Sequence, residues 1–368
     1  MTAEMSSTAA LKAPLEEPLR RTFFLVAEEV GSAPDEGYAK VGFELGNALK
    51  RHASVVTHVT RQGVGVDPDS TADSRARLGI NRTRAVLSRR LWAELRQARP
   101  ATVVYMSRSS ITLTALLRAR LLKWMGGKAR VVMIGLQPRR LGLAARLLSR
   151  LLWPDLLLVS TEAEVRGTRR LGATVERMVT GVDLARFRPA RLGEKQVLRR
   201  KFGIPEETRV VLHVGHLTGG RNLEALLPLA AQPDTTVVVV TSSQREAESG
   251  RLEDTLRAHG IVLIQGYLAD IDEVYRLADC YVFPTVSTDY AIAMPLSILE
   301  AMASDLPVAA MRFGALPERF GDVEGVLLVN SSGELVDAVA KLRRQAASTR
   351  HLSEGYSWDS MAQQVASI

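Results

Sequence analysis

Residues 283–310 read FPTVSTDYAIAMPLSILEAMASDLPVAA, and this stretch decides the fold. Cys280–Phe283 ends an apolar strand, an irregular loop follows, and Pro295 opens a short helix that stops near Asp305-Leu306-Pro307. Proline is accepted in a first helical turn, where its missing N–H has no partner to lose. A second apolar strand, Pro307–Met311, follows at once, so the segment predicts a βαβ unit. Free N–H groups at such a helix start, here Leu296 and Ser297, form a ready anion site. Glu300 lies one turn further in, where a carboxylate can accept two hydroxyl hydrogen bonds. Leu296, Leu299, Ala303 and Leu306 are available for packing.

Outward from this unit the same alternation continues. Helix 196–202 leads to strand 209–214 and the loop GHLTGGRN, residues 215–222. Gly215, Gly219 and Gly220 let the backbone approach a diphosphate closely, while His216 and Arg221 can point inward. Arg221 brings a permanent charge and bidentate geometry. His216 carries charge only at lower pH, and a neutral histidine capping a turn is its other reading. Helices 223–230, 251–258 and 270–277 alternate with strands 236–241 and 261–265, predicting a parallel sheet covered on both faces. Asp270-Ile271-Asp272 opens one of these helices and reads as capping and dipole partners, so no metal is expected.

The first half follows a similar plan with a different charge. Strand 22–27, the loop GSAPDEG (31–37), helix 38–51 and strand 53–60 form an opening βαβ unit. Residues 75–99 predict a basic helix, 102–106 a strand, and two leucine-arginine segments, 113–124 and 141–153, flank strand 130–136. Strand 156–160 follows. Residues 1–190 hold 31 Lys+Arg against 17 Asp+Glu, whereas residues 191–368 hold 17 against 23. Within 75–150 there are 18 basic residues and one acid, Glu94. So one-sided a block calls for a polyanion, an anionic substrate or a lipid surface. Leucines interrupted by arginine, with Trp124 and Trp153 at the ends, suit a helix in a bilayer interface; a core-facing helix with a solvated basic face is the alternative.

The whole chain excludes several classes. At 368 residues two domains are expected. The single Cys280 rules out an internal disulfide or a cysteine-rich zinc site and fits a reducing compartment. No run approaches the roughly 18 apolar residues of a membrane span. The first twenty residues lack a basic start before an apolar core, so they read as a polar, disordered tail rather than a signal peptide. A cytoplasmic protein is expected, with the inner face of the membrane as its partner surface through 75–153. Nucleic acid is not, because Trp92, Tyr105 and Trp124 stand isolated in the basic block and offer no base-stacking platform. No nucleophile set of the Ser/His/Asp or Cys/His kind is readable.

PLSILEAMASDLPVAA (295–310) resembles the signature segment of retaining, GT-B-fold glycosyltransferases of family 4. VTGVDLARFRP (179–189) resembles the segment joining that family's two domains, and YSWDSMAQQVASI (356–368) its closing helix. The resemblance covers about residues 20–368, by motif from 179 to 365 and by layout before that. It implies an α/β fold of two Rossmann-like, doubly wound domains facing a central cleft. An acceptor-binding domain would span 21–190, a nucleotide-sugar-binding domain 191–350, and 351–368 would cross back onto the first. It further implies that Glu300 holds the donor ribose, and that Gly215, His216, Arg221, Leu296 and Ser297 hold the diphosphate. Gly37 would face the donor phosphates from the first domain, unless it is an ordinary strand-to-helix turn.

The chain departs from the family pattern in two places. Where the family has a first glutamate before a Gly-Phe-Gly turn, this chain has Ile292 and Ala293-Met294-Pro295. Asp289, three residues earlier, is the candidate replacement on the donor sugar, or else a solvated loop acid. Where the family often has a histidine after the strand matching 130–136, this chain has Gln137, which hydrogen-bonds but cannot shuttle a proton. The implied activity is transfer of a sugar from a nucleoside diphosphate to an acceptor hydroxyl, a lipid-linked one if the first domain is interfacial. Configuration would be retained, the catalytic candidates would be Arg221, His216 and Asp289, and neither metal nor cofactor would be needed. A catalytically silent sugar-nucleotide-binding partner is the alternative that Ile292 and Gln137 favour.

Overall fold

The computed structural model describes residues 22–27, 37–53, 55–60, 78–79, 89–107, 110–139, 141–241, 249–321, 323–345 and 347–367. The tail 1–20, most of the loop 31–37 and much of the expected helix 75–99 lie outside the described residues. The first domain runs β1 (Thr22–Ala27), α1 (Gly37–Leu49), β2 (Val55–Thr60), β3 (Leu78–Gly79), α2 (Arg89–Ala98) and β4 (Thr102–Met106). It continues through α3 (Leu113–Gly126), β5 (Arg130–Gly135), α4 (Leu143–Leu152), β6 (Leu156–Val159), α5 (Glu162–Arg170) and β7 (Val175–Arg177). Its strands form one parallel sheet in the order β3-β2-β1-β4-β5-β6-β7.

The second domain runs α6 (Glu194–Lys201), β8 (Arg209–Val214), α7 (Leu227–Ala230), β9 (Thr235–Thr241), α8 (Ser249–Ala258), β10 (Val262–Gln265) and α9 (Asp272–Leu277). There follow β11 (Cys280–Phe283), α10 (Leu296–Ala303), β12 (Val308–Met311), α11 (Leu316–Phe320), β13 (Val326–Val329) and α12 (Glu334–Leu342). Its parallel sheet has the order β10-β9-β8-β11-β12-β13. The chain then passes through α13 (Arg350–Ser353) and α14 (Trp358–Ala366).

Strands such as VVLHV and TVVVVT are apolar on both sides because helices cover both faces of each sheet. Phe24, Val103, Val131 and Leu157 point to one face of the first sheet with α2, α3 and α5; Phe23, Leu25, Val104 and Val132 point to the other with α1. In α1 the spacing Val41, Leu45, Ala48, Leu49 gives one buried stripe. Thr161 and Glu164 cap α5 reciprocally.

Two expectations need correction. Leu78–Gly79 pairs in parallel with β2, so the helix expected over 75–99 is described only from Arg89. Two apolar edge residues that extend a sheet carry no helical or alternating period by which to recognise them. Residues 223–226 form a 3-10 turn, and only Leu227–Ala230 is α-helical, with Pro228 at its start.

In both sheets the order reverses between the first strand and its neighbour on the other side: β1|β4 and β8|β11. Ligands of open α/β sheets bind outside the carboxyl ends of the strands at such a switch point. The loops leaving β8 and β11 are 215–222 and 284–295, the two stretches singled out by the sequence. The chain crosses between domains twice, side by side: Val182 N–H donates to Tyr356 O at 2.8 Å, and Val182 bridges Ser357. A Cβ on Gly181 would overlap Trp358, so only glycine lets the crossings lie this close. Beyond them α14 buries Met361, Ala362 and Val365 in the α1 face of the first domain. Burial of the methionine and valine is worth about 1.5–3 kcal/mol each.

Candidate active site

Gly215 follows β8 and donates its N–H to Val240 O at 2.9 Å. A Cβ there would overlap Arg221 Nη1 and stand 2.9 Å from His213 Nε2. The guanidinium therefore lies on bare backbone. Arg221 itself closes the short 3-10 turn Gly219–Arg221, and Asn222 follows at φ 57°. Asn222 Nδ2 reaches Pro284 O at 3.0 Å and Ser332 Oγ at 3.1 Å, which ties this loop to the exit of β11. Arg221 is buried, its Nε has no hydrogen-bond partner among the described residues, and burial pulls its pKa down. A buried guanidinium left short of partners is costly, and an incoming anion is what would satisfy it. His216 is half-buried in the same loop. Below it His213 is fully buried, its Nδ1–H donating to Val282 O at 2.9 Å, and desolvation pushes its pKa down to about 3. It is a neutral support.

The second loop lies against the first. A Cβ on Gly220 would overlap the ring of Tyr290, so the tyrosine rests on the Gly220 backbone. Pro295 is the residue preceding α10, with extended backbone (φ −63°, ψ 122°). Ser297 is half-buried and hydrogen-bonds the Tyr281 hydroxyl. Leu296 is buried with the α1 face of the first domain, as is Ile292. Gly37, the first residue of α1, faces this isoleucine: its Cβ position lies 3.6 Å from Ile292 Cδ1. The position where the resemblance implies a carboxylate on the donor sugar is thus an apolar contact between domains.

Glu300 is buried in the wall of the cleft. One oxygen accepts from Lys40 Nζ of α1 at 2.5 Å and the other from Tyr275 Oη at 2.6 Å. With side-chain exposures of 19% and 7%, Lys40–Glu300 is a partly buried interdomain ion pair whose carboxylate is the buried partner. Lys40 also lies over the Phe187 ring, 5.1 Å from its centroid. Burial raises the carboxyl of neighbouring Glu44, with Lys40 opposing that shift. Tyr275, buried beside the Glu300 carboxylate, is held well above the usual phenol range.

On the first-domain side, Gln137 N–H donates to Ser110 Oγ at 3.1 Å and its amide reaches Asp289 O at 3.4 Å. Arg139 pairs with the Asp289 carboxylate at 2.8 Å, and Ala293 N–H donates to Leu136 O at 2.8 Å. Asp289 remains largely exposed, so this pair contributes little to stability. The fold therefore brings Gly37 against Ile292, Gln137 against Asp289 and Gly215 against Arg221, with His216 in the same loop as the last pair and Glu300 bonded to Lys40.

Sequence reasoning missed Lys40, Tyr275 and Tyr290. Only the Gly219-Gly220 pair hinted at one of them, since paired glycines announce a close neighbour. Asp272 bonds Arg186 and Arg276 in the first turn of α9; the residue at the cap is Ile271 with no side-chain cap, so the capping reading of Asp270 and Asp272 does not hold. Among the described residues no group of three or more His, Cys, Asp or Glu side chains is placed to hold a metal ion. A crevice of about 510 Å³ opens at the opposite, amino-terminal end of the second sheet. There Lys195 and Arg199 both bond Asp279, at 2.8 and 2.6 Å.

Comparison with known proteins agrees with this fold. Residues 208–345 match the family model described as glycosyl transferases group 1. The chain is 31% identical over 210 residues to D-inositol 3-phosphate glycosyltransferase 2 of Catenulispora acidiphila, covering 51% of this chain and 48% of that protein. It is 25% identical over 212 residues to a GDP-mannose-dependent monoacylated alpha-(1-6)-phosphatidylinositol monomannoside mannosyltransferase of Corynebacterium glutamicum, covering 53% and 56%. The chain thus spans about half the length of the curated relatives it matches. Among solved structures, sucrose-phosphate synthase from Thermosynechococcus elongatus superposes with a TM-score of 0.72 at 18% identity, over 95% of this chain and 98% of that one. Anabaena HepE in complex with UDP superposes with a TM-score of 0.69 at 16% identity, over 94% and 98%. The chain has the two-domain GT-B fold of glycosyltransferases, and its second domain carries the group 1 glycosyltransferase match.

Proposed function

We propose that the chain is a retaining glycosyltransferase that takes a sugar from a nucleoside diphosphate donor. The observation that carries this reading is Arg221: a buried guanidinium with an unpartnered Nε, laid on Gly215 at the switch point of the second sheet. A leaving diphosphate gains negative charge as the glycosidic bond breaks, and a fixed cation in a water-poor cleft stabilises it most where that charge develops. His216 and the start of α10 at Ser297 would add donors to the same anion. Glu300 would accept the two ribose hydroxyls in place of its present partner Lys40, so donor entry would part the ion pair between the domains. Asp289, at the rim beside Gln137 and Arg139, would contact the donor sugar. A phosphate oxygen of the donor would help to deprotonate the acceptor hydroxyl, so neither a dedicated carboxylate base nor a metal ion is required. The bound UDP in the HepE structure and the GDP-mannose dependence of the corynebacterial relative support a nucleoside diphosphate sugar as donor class. A free, buried Cys280 suits a reducing, cytoplasmic setting.

Thermal melting with a panel of nucleoside diphosphates and nucleotide sugars tests the donor site. A ligand at a hundred times its Kd adds about 2.7 kcal/mol and raises the melting point visibly. One base should do so, and Glu300→Ala should abolish the shift. A chain that ignores every nucleotide refutes the reading. With the donor known, the anomeric configuration of the product tests retention, and unchanged turnover and KM in Asp289→Ala would discard the role given to Asp289.

A further inference from the structure

We propose that the outer face of α3 and α4 is a docking surface for an anionic lipid bilayer. This stands on residues outside the cleft and is independent of the transfer reading. In α4, Leu143, Leu147 and Leu151 are 79%, 81% and 72% exposed. Placed four residues apart, they drift only about 40° per step and form one row about 12 Å long. The helix faces its domain with other residues: Ser149 is fully buried, with its hydroxyl on Arg146 O, and Leu152 packs on the core. The leucine row therefore has no packing partner among the described residues. On α3, which packs beside α4 over the same face of the sheet, Leu117 (49% exposed) and Trp124 (68% exposed) form a second outward row. Arg120, Arg146 and Arg150 stand exposed among these side chains.

Charge decides the occupant. Residues 101–150 contain ten Lys and Arg and no Asp or Glu. A second copy of the chain docking here by the same face would bring two such blocks together without an acid between them. Nucleic acid would meet the arginines but leave the leucines in water. A bilayer with anionic headgroups satisfies both at once, with acyl chains for the leucines and phosphates for the guanidinium groups. Trp124, edge-on to Trp92 at 5.6 Å between centroids, suits the headgroup level. Leu143 lies four residues beyond Arg139, which pairs with Asp289 at the cleft rim. A docked chain would hold that rim beside the headgroup plane. If the transfer reading holds, the acceptor is then an amphiphile whose hydroxyl enters from the membrane.

The test is flotation of the full chain with vesicles containing phosphatidylglycerol, against phosphatidylcholine alone, at low salt. It needs no turnover, so its result is separable from that of the nucleotide melts. The chain should float with the anionic vesicles, with blue-shifted tryptophan emission. Leu147→Ser/Leu151→Ser and Arg146→Glu/Arg150→Glu should each weaken binding about tenfold or more, with unchanged melting points because all four positions are exposed. Several results would overturn the proposal. A chain that stays soluble beside anionic vesicles would refute it, and so would a leucine variant that binds as tightly as wild type, since that would leave only a charge contact. Dimerisation that the leucine variant abolishes, without flotation, would assign the face to a second copy instead.

Discussion

Lys40→Met should destabilise the chain by about 3 kcal/mol, far more than a typical surface charge. Removing one partner of a buried ion pair costs about 3–5 kcal/mol, because the remaining charge stays desolvated. Glu300 is that remaining charge, with a side chain 7% exposed. Its other oxygen keeps the Tyr275 hydroxyl at 2.6 Å, a charge-assisted bond worth about 1.5–3 kcal/mol, which places the loss at the lower end of the range. Glu300→Gln in the Lys40→Met background removes the stranded charge. The double variant should therefore be no less stable than Lys40→Met alone, and the single losses should fail to add by about 1.5 kcal/mol or more. Urea unfolding of the four proteins, followed by tryptophan emission, gives the cycle. Added salt should change the coupling less than for an exposed pair, since Glu300 is shielded from solvent. Losses that add within about 0.5 kcal/mol would show that Lys40 does not neutralise Glu300, and the account of the cleft wall would fail.

His213 is neutral when folded, with a pKa near 3 against about 6.5 unfolded, so it favours folding fully above pH 6.5 and loses that contribution as pH falls from 6.5 toward 3. Its share of the slope is at most about 1.4 kcal/mol per pH unit, and urea titrations of His213→Gln should show a shallower loss than wild type over that window. Gly314 has φ 51°, and a Cβ there would overlap Ala293 O, which accepts from Ala315 N–H at 2.9 Å. Gly314→Ala should cost more than about 1 kcal/mol and weaken nucleotide binding by moving the 284–295 loop; an unchanged nucleotide Kd would contradict this. Burial pushes the Cys280 thiol up to about 12. Ellman's reagent at pH 8 should leave the folded chain untouched and titrate one thiol in urea.

The second domain was legible in the sequence because each of its signals is local. An apolar strand runs into glycines at 215–220, and a proline opens a helix one turn before Glu300. Both stretches proved to leave the two strands at the switch point. The partners of Glu300 were not legible. Lys40 is 260 residues away on a helix with several polar positions, and only the closing of one domain on the other selects it. Tyr275 lies in a short helix with charged neighbours, and nothing local marks its hydroxyl as a partner of Glu300. Ile292 showed in the sequence as a missing carboxylate; the fold shows it as an apolar contact against Gly37 and the first domain. The leucine-arginine segments were ambiguous for a physical reason. A period of three to four places leucines on one face but does not say whether that face looks inward, and α4 turns its row outward.

The α1 face of the first domain is completed by Trp358, Met361, Ala362 and Val365, which follow the whole second domain in the chain. During synthesis, residues 22–177 leave the ribosome with that face uncovered, and the second domain must emerge before α14 can close it. The nascent first domain therefore presents Val41, Leu45 and their neighbours to chaperones for the time needed to translate roughly half the chain. A nonsense codon between 330 and 357 would leave that exposure permanent in a product whose second sheet is already finished, and quality control would recognise it by the first domain rather than by the truncated one.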